Sequence, residues 1–323
     1  MEWNPSLFFR PEGSPSPYAL LILNQPINEK AFEVLNEYAS YIICADGGAN
    51  RLYDLTKSQG KESIILPNTI VGDLDSLNLK IRQHYEDLGV TILEDPDQYS
   101  TDFTKCLKHL NTHSSEIIAS PRKQRKDSTS GSKWAPDSVL EIVILGGLGG
   151  RVDQAFSQIH HLYMMTRAQR ELRETPQYQD QDQQGYKKPS AAGGNLYLVS
   201  EESITFVLQQ GKNIIYTPGT RRPDIAQAAL DTGSQPENSS EATLKRKRDV
   251  EGTEYFFEEN IGIIPLSAPA SITTQGFEWD VQDWHTEIGG QLSTSNHIRA
   301  EKVEIETSVS VLFTVELAQR LKR

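Results

Sequence analysis

The sequence predicts an α/β fold: a doubly wound, mostly parallel sheet followed by a smaller all-β sandwich. Three observations carry this. In the first half, apolar runs alternate with segments of helical spacing, and near-continuous apolar strands are what a sheet covered on both faces requires. After residue 195 the texture changes to short strand-like segments separated by turn residues. Finally, 323 residues exceed one typical domain, so two cores are expected. The expected domains span 17–169 and 195–323.

Residues 18–23 form the first apolar run. Residues 28–39 follow with Ala31, Phe32, Val34, Leu35 and Tyr38 at helical spacing, and 41–45 are a second strand. The alternation continues with a helix over 49–57, a strand at 69–71, a helix over 79–88, a strand at 90–93 and a helix over 101–110. Residues 112–137 then interrupt it, being too rich in Ser, Lys, Arg and Asp to order themselves around apolar surface. The strongest strand, 139–145, resumes the pattern and a helix over 151–167 follows. Residues 170–194 (Gln, Asp, Gly) and 219–253 (Ser, Glu) are further low-complexity stretches. The run Lys245-Arg246-Lys247-Arg248 has the form of a nuclear localisation signal, but within an acidic insert a solvated charge cluster is the better reading. In the second half, 196–199, 204–208, 213–216, 262–266, 271–274 and 303–314, broken near Thr307, read as strands. Residues 315–321 read as a closing helix.

A net charge of −12 argues against nucleic acid as a partner. A polyanionic ligand must then be met by a metal ion and a few placed cations. The two cysteines, Cys44 and Cys106, sit in apolar contexts without metal-ligand spacing, which fits a reduced, cytoplasmic chain. No apolar run approaches a membrane span, and the proline-rich start does not read as a secretion signal.

The chemistry is concentrated where strands end. The second strand runs into Asp46-Gly47-Gly48-Ala49-Asn50-Arg51 and the third into Gly72-Asp73-Leu74-Asp75-Ser76. The fourth runs into Asp97-Gln98 and Thr101-Asp102, and the fifth into Gly146-Gly147-Leu148-Gly149-Gly150-Arg151-Val152-Asp153. Parallel strands place all four loops on one edge, where open α/β sheets bind ligands. Each loop has a plain reading as a turn or a helix cap. Their coincidence is better explained by a metal-chelated polyphosphate: carboxylates for a hard cation, glycines that admit phosphate oxygens to backbone N–H groups, and a helix start. Arg151 adds forked donors, with Asp153 placed to orient it or to reach a metal. Neither a Walker loop nor the dinucleotide Gly-x-Gly-x-x-Gly is present.

These four segments, in order and spacing, resemble the eukaryotic, fungal-type thiamine pyrophosphokinases. Gly276-Phe277-Glu278-Trp279 and Leu292-Ser293-Thr294-Ser295-Asn296 resemble that family's thiamine-binding segment. The resemblance implies a catalytic, ATP-binding domain on a Rossmann-like sheet, a β-rich thiamine-binding domain, and a homodimer with active sites shared between chains. It implies transfer of a pyrophosphoryl group from ATP to thiamine, with Mg²⁺. Asp46, Asp73, Asp75 and Asp102 would hold the metal, with Asp73, Asp75, Asp102 and Arg151 catalytic. Gly47, Gly48, Asn50, Arg51, Gln98, Thr101, Gly147, Gly149, Gly150 and Asp153 would surround ATP. Ser293, Ser295 and Asn296 would contact thiamine. Trp279 would join them, although a strand tryptophan is more often core. Two other readings stay open on the residues alone. A metal-dependent nucleotide-sugar glycosyltransferase would explain Asp73 and Asp75 but not the Asp46 or Arg151 loops. A non-catalytic nucleotide sensor would explain the glycines but not so many carboxylates.

Overall fold

The computed structural model describes residues 1–122, 134–135, 138–174, 191–222 and 255–323; the Lys245–Arg248 run lies outside them. The chain divides into two compact units. One comprises Leu7–Val207 with Lys322–Arg323, the other Met1–Ser6 with Leu208–Leu321.

The short strand β1 (Glu2–Trp3) belongs to the second unit. The first unit then alternates β2 (Tyr18–Ile22), α1 (Glu29–Tyr38), β3 (Tyr41–Ala45), α2 (Gly48–Ser58), β4 (Thr69–Gly72), α3 (Leu79–Asp87), β5 (Thr91–Glu94) and α4 (Asp102–Thr112). After these come α5 (Ser114–Ala119), β6 (Glu141–Leu145), α6 (Val152–Glu174), β7 (Leu196–Val199) and β8 (Ser203–Leu208). In space the strands run β8-β7-β6-β2-β3-β4-β5, parallel throughout except β8, which returns antiparallel to β7. Central β2 is buried along its whole length, as its unbroken apolar sequence requires. Helix starts are set by side chains that accept an orphan N–H: Asn28 for α1, Asn78 for α3 and Thr101 for α4.

The register positions the site. Ala45 pairs with Val71 and Val71 with Leu93, so the chain leaves β3, β4 and β5 in one row, and Ile22 and Leu145 align β2 with β6. The spatial order reverses between β2 and β6, opening a crevice beyond the strand ends.

The second unit holds β9 (Gly211–Tyr216), β10 (Phe257–Pro265), β11 (Ala270–Gln275), β12 (Trp284–Thr286), β13 (Ser293–His297), β14 (Lys302–Thr307) and β15 (Val311–Leu317). A five-stranded sheet, β1-β9-β14-β11-β12, forms here, and β13-β10-β15 pair side by side as a second row. Ile215, Ile272, Val303 and Ile305 are buried from the first, Ile263, Phe313 and Val315 from the second. Trp3 is fully buried and donates from Nε1 to Asn213 Oδ1 at 3.0 Å, while Glu2 and Trp3 pair with Ile214 and Ile215.

Four expectations change. Residues 196–207 join the first unit, because β7 extends the parallel sheet beside β6. Residues 112–122 do not belong to a structureless insert: they finish α4 and form α5, which buries Ile117. Helix α6 continues to Glu174, past the expected 167. Residues 315–321 are not a helix, since Val311–Leu317 pair with β10 and only a 3-10 turn at Gln319–Leu321 follows.

Candidate active site

Asp46, directly after β3, is the most constrained residue of the row. Its φ is 40°, in the left-handed region that costs a non-glycine residue about 1 kcal/mol. Its N–H donates to Val71 O and its carbonyl accepts from Ala49 N, both at 3.0 Å. Its side chain is 2% exposed. Oδ2 accepts the Ser76 N–H at 3.0 Å, and Oδ1 is buried with no protein partner. Burial pushes its pKa up, the Ser76 N–H opposes the rise, and neighbouring Asp102 adds to it.

Asp73 follows β4. Gln98 donates to its Oδ2 at 3.0 Å, which holds the carboxyl below its usual range. Asp102 opens α4 and sits over Gly72, where a Cβ would stand 2.7 Å from the Asp46 Cβ and 3.1 Å from Asp102 Oδ1. Only glycine lets the two carboxylates approach. One turn on, the buried Lys105 reaches Asp102 Oδ1 at 3.2 Å. One ligand atom each from Asp46, Asp73 and Asp102 lie within 4.8 Å of one another. Clustered carboxylate oxygens, one of them buried and unpartnered, fit a hard divalent cation.

Asp75 is not brought into this cluster. It is exposed, and its Oδ1 accepts the Ser76 hydroxyl at 2.8 Å. With Leu74 at φ 64°, the turn after β4 brings the Asp75 N–H to Asp73 Oδ1 at 3.4 Å and leaves the Asp75 carboxylate outside the group, near enough for its charge to act on Asp46. Asn50 braces that turn, donating to Ser76 O at 2.8 Å and accepting from Asn78 N at 3.0 Å. Arg51 donates to Asn24 Oδ1 at 3.1 Å. Gly47 and Gly48 make close packing possible: a Cβ on Gly48 would lie 2.2 Å from Ile22 O, so α2 begins hard against β2. Thr101 caps α4, and Asp97 is held by the Ser100 hydroxyl at 2.6 Å, closing the loop that carries Gln98. Gly147, Gly149 and Gly150 lie between β6 and α6. Arg151 grips both carboxylate oxygens of Asp153, Nε to Oδ1 at 3.0 Å and Nη2 to Oδ2 at 2.5 Å, with the two side chains 76% and 60% exposed. Asp153 therefore orients Arg151 and stands apart from the carboxylate cluster.

The second unit contains a cavity of about 660 Å³. Ser293 and Ser295 line it with Trp284, Thr274 and Ile263. Trp279 also lines it and is 57% exposed, so the plainer reading of a strand tryptophan as core does not describe it. Asn296 lines the cavity as well and has a second task. It is buried, and its amide is committed to the protein: Nδ2 donates to Trp279 O at 2.9 Å, and Oδ1 accepts from Trp279 N at 3.2 Å and His297 N at 2.8 Å. It holds the Trp279 backbone in place and also lines the cavity, with one Nδ2 hydrogen left over from these bonds.

Sequence reasoning passed over Lys105 and the Ser76 N–H. Lys105 had a signal, its i+3 spacing from Asp102 on one helix face. The Ser76 amide had none, because a backbone donor carries no side-chain signature.

Two family models match the chain: "Thiamin pyrophosphokinase, catalytic domain" over residues 32–173 and "Thiamin pyrophosphokinase, vitamin B1 binding domain" over 242–312. A thiamine pyrophosphokinase of Saccharomyces cerevisiae is 26% identical, covering 92% of this chain and 85% of its own length. Thiamine pyrophosphokinase 1 of Arabidopsis thaliana is 27% identical, covering 93% and 86%. The solved structure of the thiamin pyrophosphokinase from Candida albicans superposes with a TM-score of 0.66 at 24% identity, covering 98% of this chain and 92% of that one. The yeast structure gives 0.65 at 25% identity, covering 98% and 91%.

Proposed function

The chain belongs to the thiamin pyrophosphokinase family, and we propose that it divides the work of that reaction between its two units. It is an ATP-dependent diphosphotransferase that moves a pyrophosphoryl group from ATP to the thiamine hydroxyl, giving thiamine diphosphate and AMP. In our reading the loops of the first unit hold ATP by its phosphates and the cavity of the second holds thiamine.

Asp46, Asp73 and Asp102 would hold Mg²⁺, which when bound supplies positive charge to the polyphosphate and fixes its middle phosphate. The rest falls to the chain itself. Gln98 fixes the Asp73 carboxylate, and Lys105 offsets part of the negative charge at Asp102. Arg151, held by Asp153, presents its exposed guanidinium beside the glycine loop, where it can meet a phosphate oxygen bidentately. Ser293 and Ser295 supply hydroxyls to the cavity wall and Trp279 an indole face for a flat ring. Asp75, exposed and tied to Ser76, is assigned to the rim. In this arrangement catalysis is mostly positioning and charge stabilisation.

The observation that supports this best is the state of Asp46. A carboxylate oxygen buried without a partner, on strained backbone and against two other carboxylates, is not accounted for by a structural role. A glycosyltransferase of the Asp-x-Asp kind would call on Asp73 and Asp75 together, and these are not the pair that clusters.

The test is to incubate the protein with ATP, Mg²⁺ and thiamine and identify the nucleotide formed. AMP should appear in step with thiamine diphosphate and stop with a chelator. ADP with thiamine monophosphate would sink the reading, because it places the attack on the terminal phosphorus.

Two finer parts of the reading have separate support. A homodimer with shared sites would cover α6, which leaves Val152, Phe156 and Met164 exposed. A cytoplasmic setting suits two unpaired buried cysteines, Cys44 and Cys106. No helix among the described residues is long and apolar enough to cross a membrane.

A further inference from the structure

Trp279 presents a large ring to the cavity, and its backbone alone does not fix that ring. The Asn296 amide pins the Trp279 N–H and carbonyl, which leaves both side-chain torsions free. The ring packed against the indole is His297, with centroids 5.1 Å apart and planes tilted by 46°. His297 is itself held. Its Nδ1 lies 3.2 Å from Arg299 Nη2, and since a guanidinium only donates, Nδ1 accepts and the imidazole hydrogen sits on Nε2. Arg299 is fixed in turn by three further contacts: Nε to Glu278, Nη1 to Glu259, and Nη1 to Ile298 O at 3.1 Å.

The arrangement closes on itself. Glu278 immediately precedes Trp279, and its N–H donates to His297 O at 2.8 Å, while Arg299 N donates to Gly276 O at 2.9 Å. An isolated bridge between Phe277 and Ile298 completes the lacing of the two segments. The sequence Trp279, His297, Arg299, Glu278 thus runs from the indole back to its own neighbour. The network spends two carboxylates and a guanidinium without lining the cavity.

We infer that His297, oriented by Arg299, is a positioning residue that holds the Trp279 indole ready for a flat heteroaromatic substrate ring. This rests on the reading that the cavity takes thiamine. Pre-ordering an exposed, rotamer-rich side chain lowers the ordering cost that binding would otherwise carry. The effect therefore falls on affinity for the ring and leaves the phosphoryl chemistry alone.

The experiment is a double-mutant cycle on the full chain, read by calorimetric titration of thiamine without ATP and by steady-state kinetics. Trp279→Ala should weaken thiamine binding at least tenfold, His297→Ala about fivefold, and His297→Phe, which keeps a ring, less than twofold. For His297→Ala, KM for thiamine should rise by the same factor with kcat within twofold. The emission owed to Trp279, taken by difference from Trp279→Phe, should shift to the red in His297→Ala and not in His297→Phe. In the Trp279→Ala background, His297→Ala should cost nothing more. Unchanged binding in His297→Ala beside weakened binding in Trp279→Ala would overturn the positioning role and leave the cavity reading standing. A full additional loss in the double mutant would mean that His297 meets the ligand itself, which also overturns it. If Trp279→Ala binds thiamine normally, the cavity reading fails and this inference with it.

Discussion

The carboxylate edge of the first unit and the ring cavity of the second are built on opposite plans. The edge is made of residues just beyond two parallel strand ends and at one helix start, each locked by a neighbour: Asp46 by the Ser76 amide, Asp73 by Gln98, Asp102 by Lys105. The cavity is made of strand residues and two indoles, Trp279 and Trp284, and its polar network lies behind the wall. The difference teaches how each should respond to change. A cluster of like charges held at contact has no slack, so one substitution alters the charge that every other member feels. A shaped apolar wall degrades by degrees.

The largest expected effect tests that lack of slack. Asp46→Asn and Asp73→Asn should each lower turnover by about 10³-fold, with thermal unfolding unchanged or raised, since like-charge repulsion is relieved. Mg²⁺ alone should raise the Tm of the wild type and fail to raise that of Asp46→Asn. Asp75→Asn should lose much less than Asp73→Asn. Equal losses would return Asp75 to the cluster and erase the distinction drawn within the edge itself.

A second experiment asks whether edge and cavity of one copy serve the same reaction. The Asp73→Asn protein, nearly inactive, and the Trp279→Ala protein, assayed at thiamine well below its KM so that its rate is down at least tenfold, are unfolded and refolded together at equal concentration. If sites are shared, a mixed dimer gathers both lesions in one site and leaves the other whole, so activity should recover toward about one quarter of wild type by random pairing. No recovery despite demonstrated subunit exchange would place both halves in one chain.

The smallest effect is one of pH, and it separates the units by stability. His109 on α4, partly buried, stacked on His113 at 4.3 Å and 3.2 Å from the Tyr41 hydroxyl, has its pKa pushed down to about 4, first by burial and then by His113. The folded state therefore disfavours the proton, while the unfolded chain takes it up near pH 6.5. Stability from this group is complete above pH 6.5 and is lost as pH falls from there toward 4, by about 2 kcal/mol once the roughly 3 kcal/mol of the full shift is discounted for solvent screening of a half-buried ring. Hydrogen exchange at pH 5 should show the first unit loosened relative to pH 7, and His109→Phe should flatten that change. A second unit that loosens equally would break the contrast.

How much of this could be read beforehand follows from the same contrast. The parallel sheet was legible because unbroken apolar runs such as Tyr18–Ile22 alternate with periodic helices, and the loops because Asp46, Asp73 and Asp102 each directly follow a strand or begin a helix. That Asp75 would part from Asp73 was not legible, since it depends on a left-handed Leu74, a conformation no residue preference announces. Residues 315–317 have apolar spacing that serves a helix or a strand, and pairing with Phe257–Pro265 decides it. Asn296 reads as a ligand contact by its type, but that it also pins the Trp279 backbone is a tertiary fact no residue type announces. Residues 196–199 and 204–207 were read correctly as strands and given to the wrong unit, because a segment's sequence does not state which sheet edge it will join.

The pairing of Glu2 and Trp3 with Ile214 and Ile215 sets a schedule for the growing chain. Trp3 and Asn213 are separated by 210 positions. At ribosomal speeds of about 5–20 residues per second, Trp3 waits roughly 10–40 s before its partner strand has been made. During that interval the whole segment up to Val207 is synthesised and free to collapse, while the Trp3 indole lacks its partner strand. The second unit is thus the last to close although Glu2 and Trp3 are made before the whole first unit, and its β9 edge is the place where a stalled chain would remain sticky.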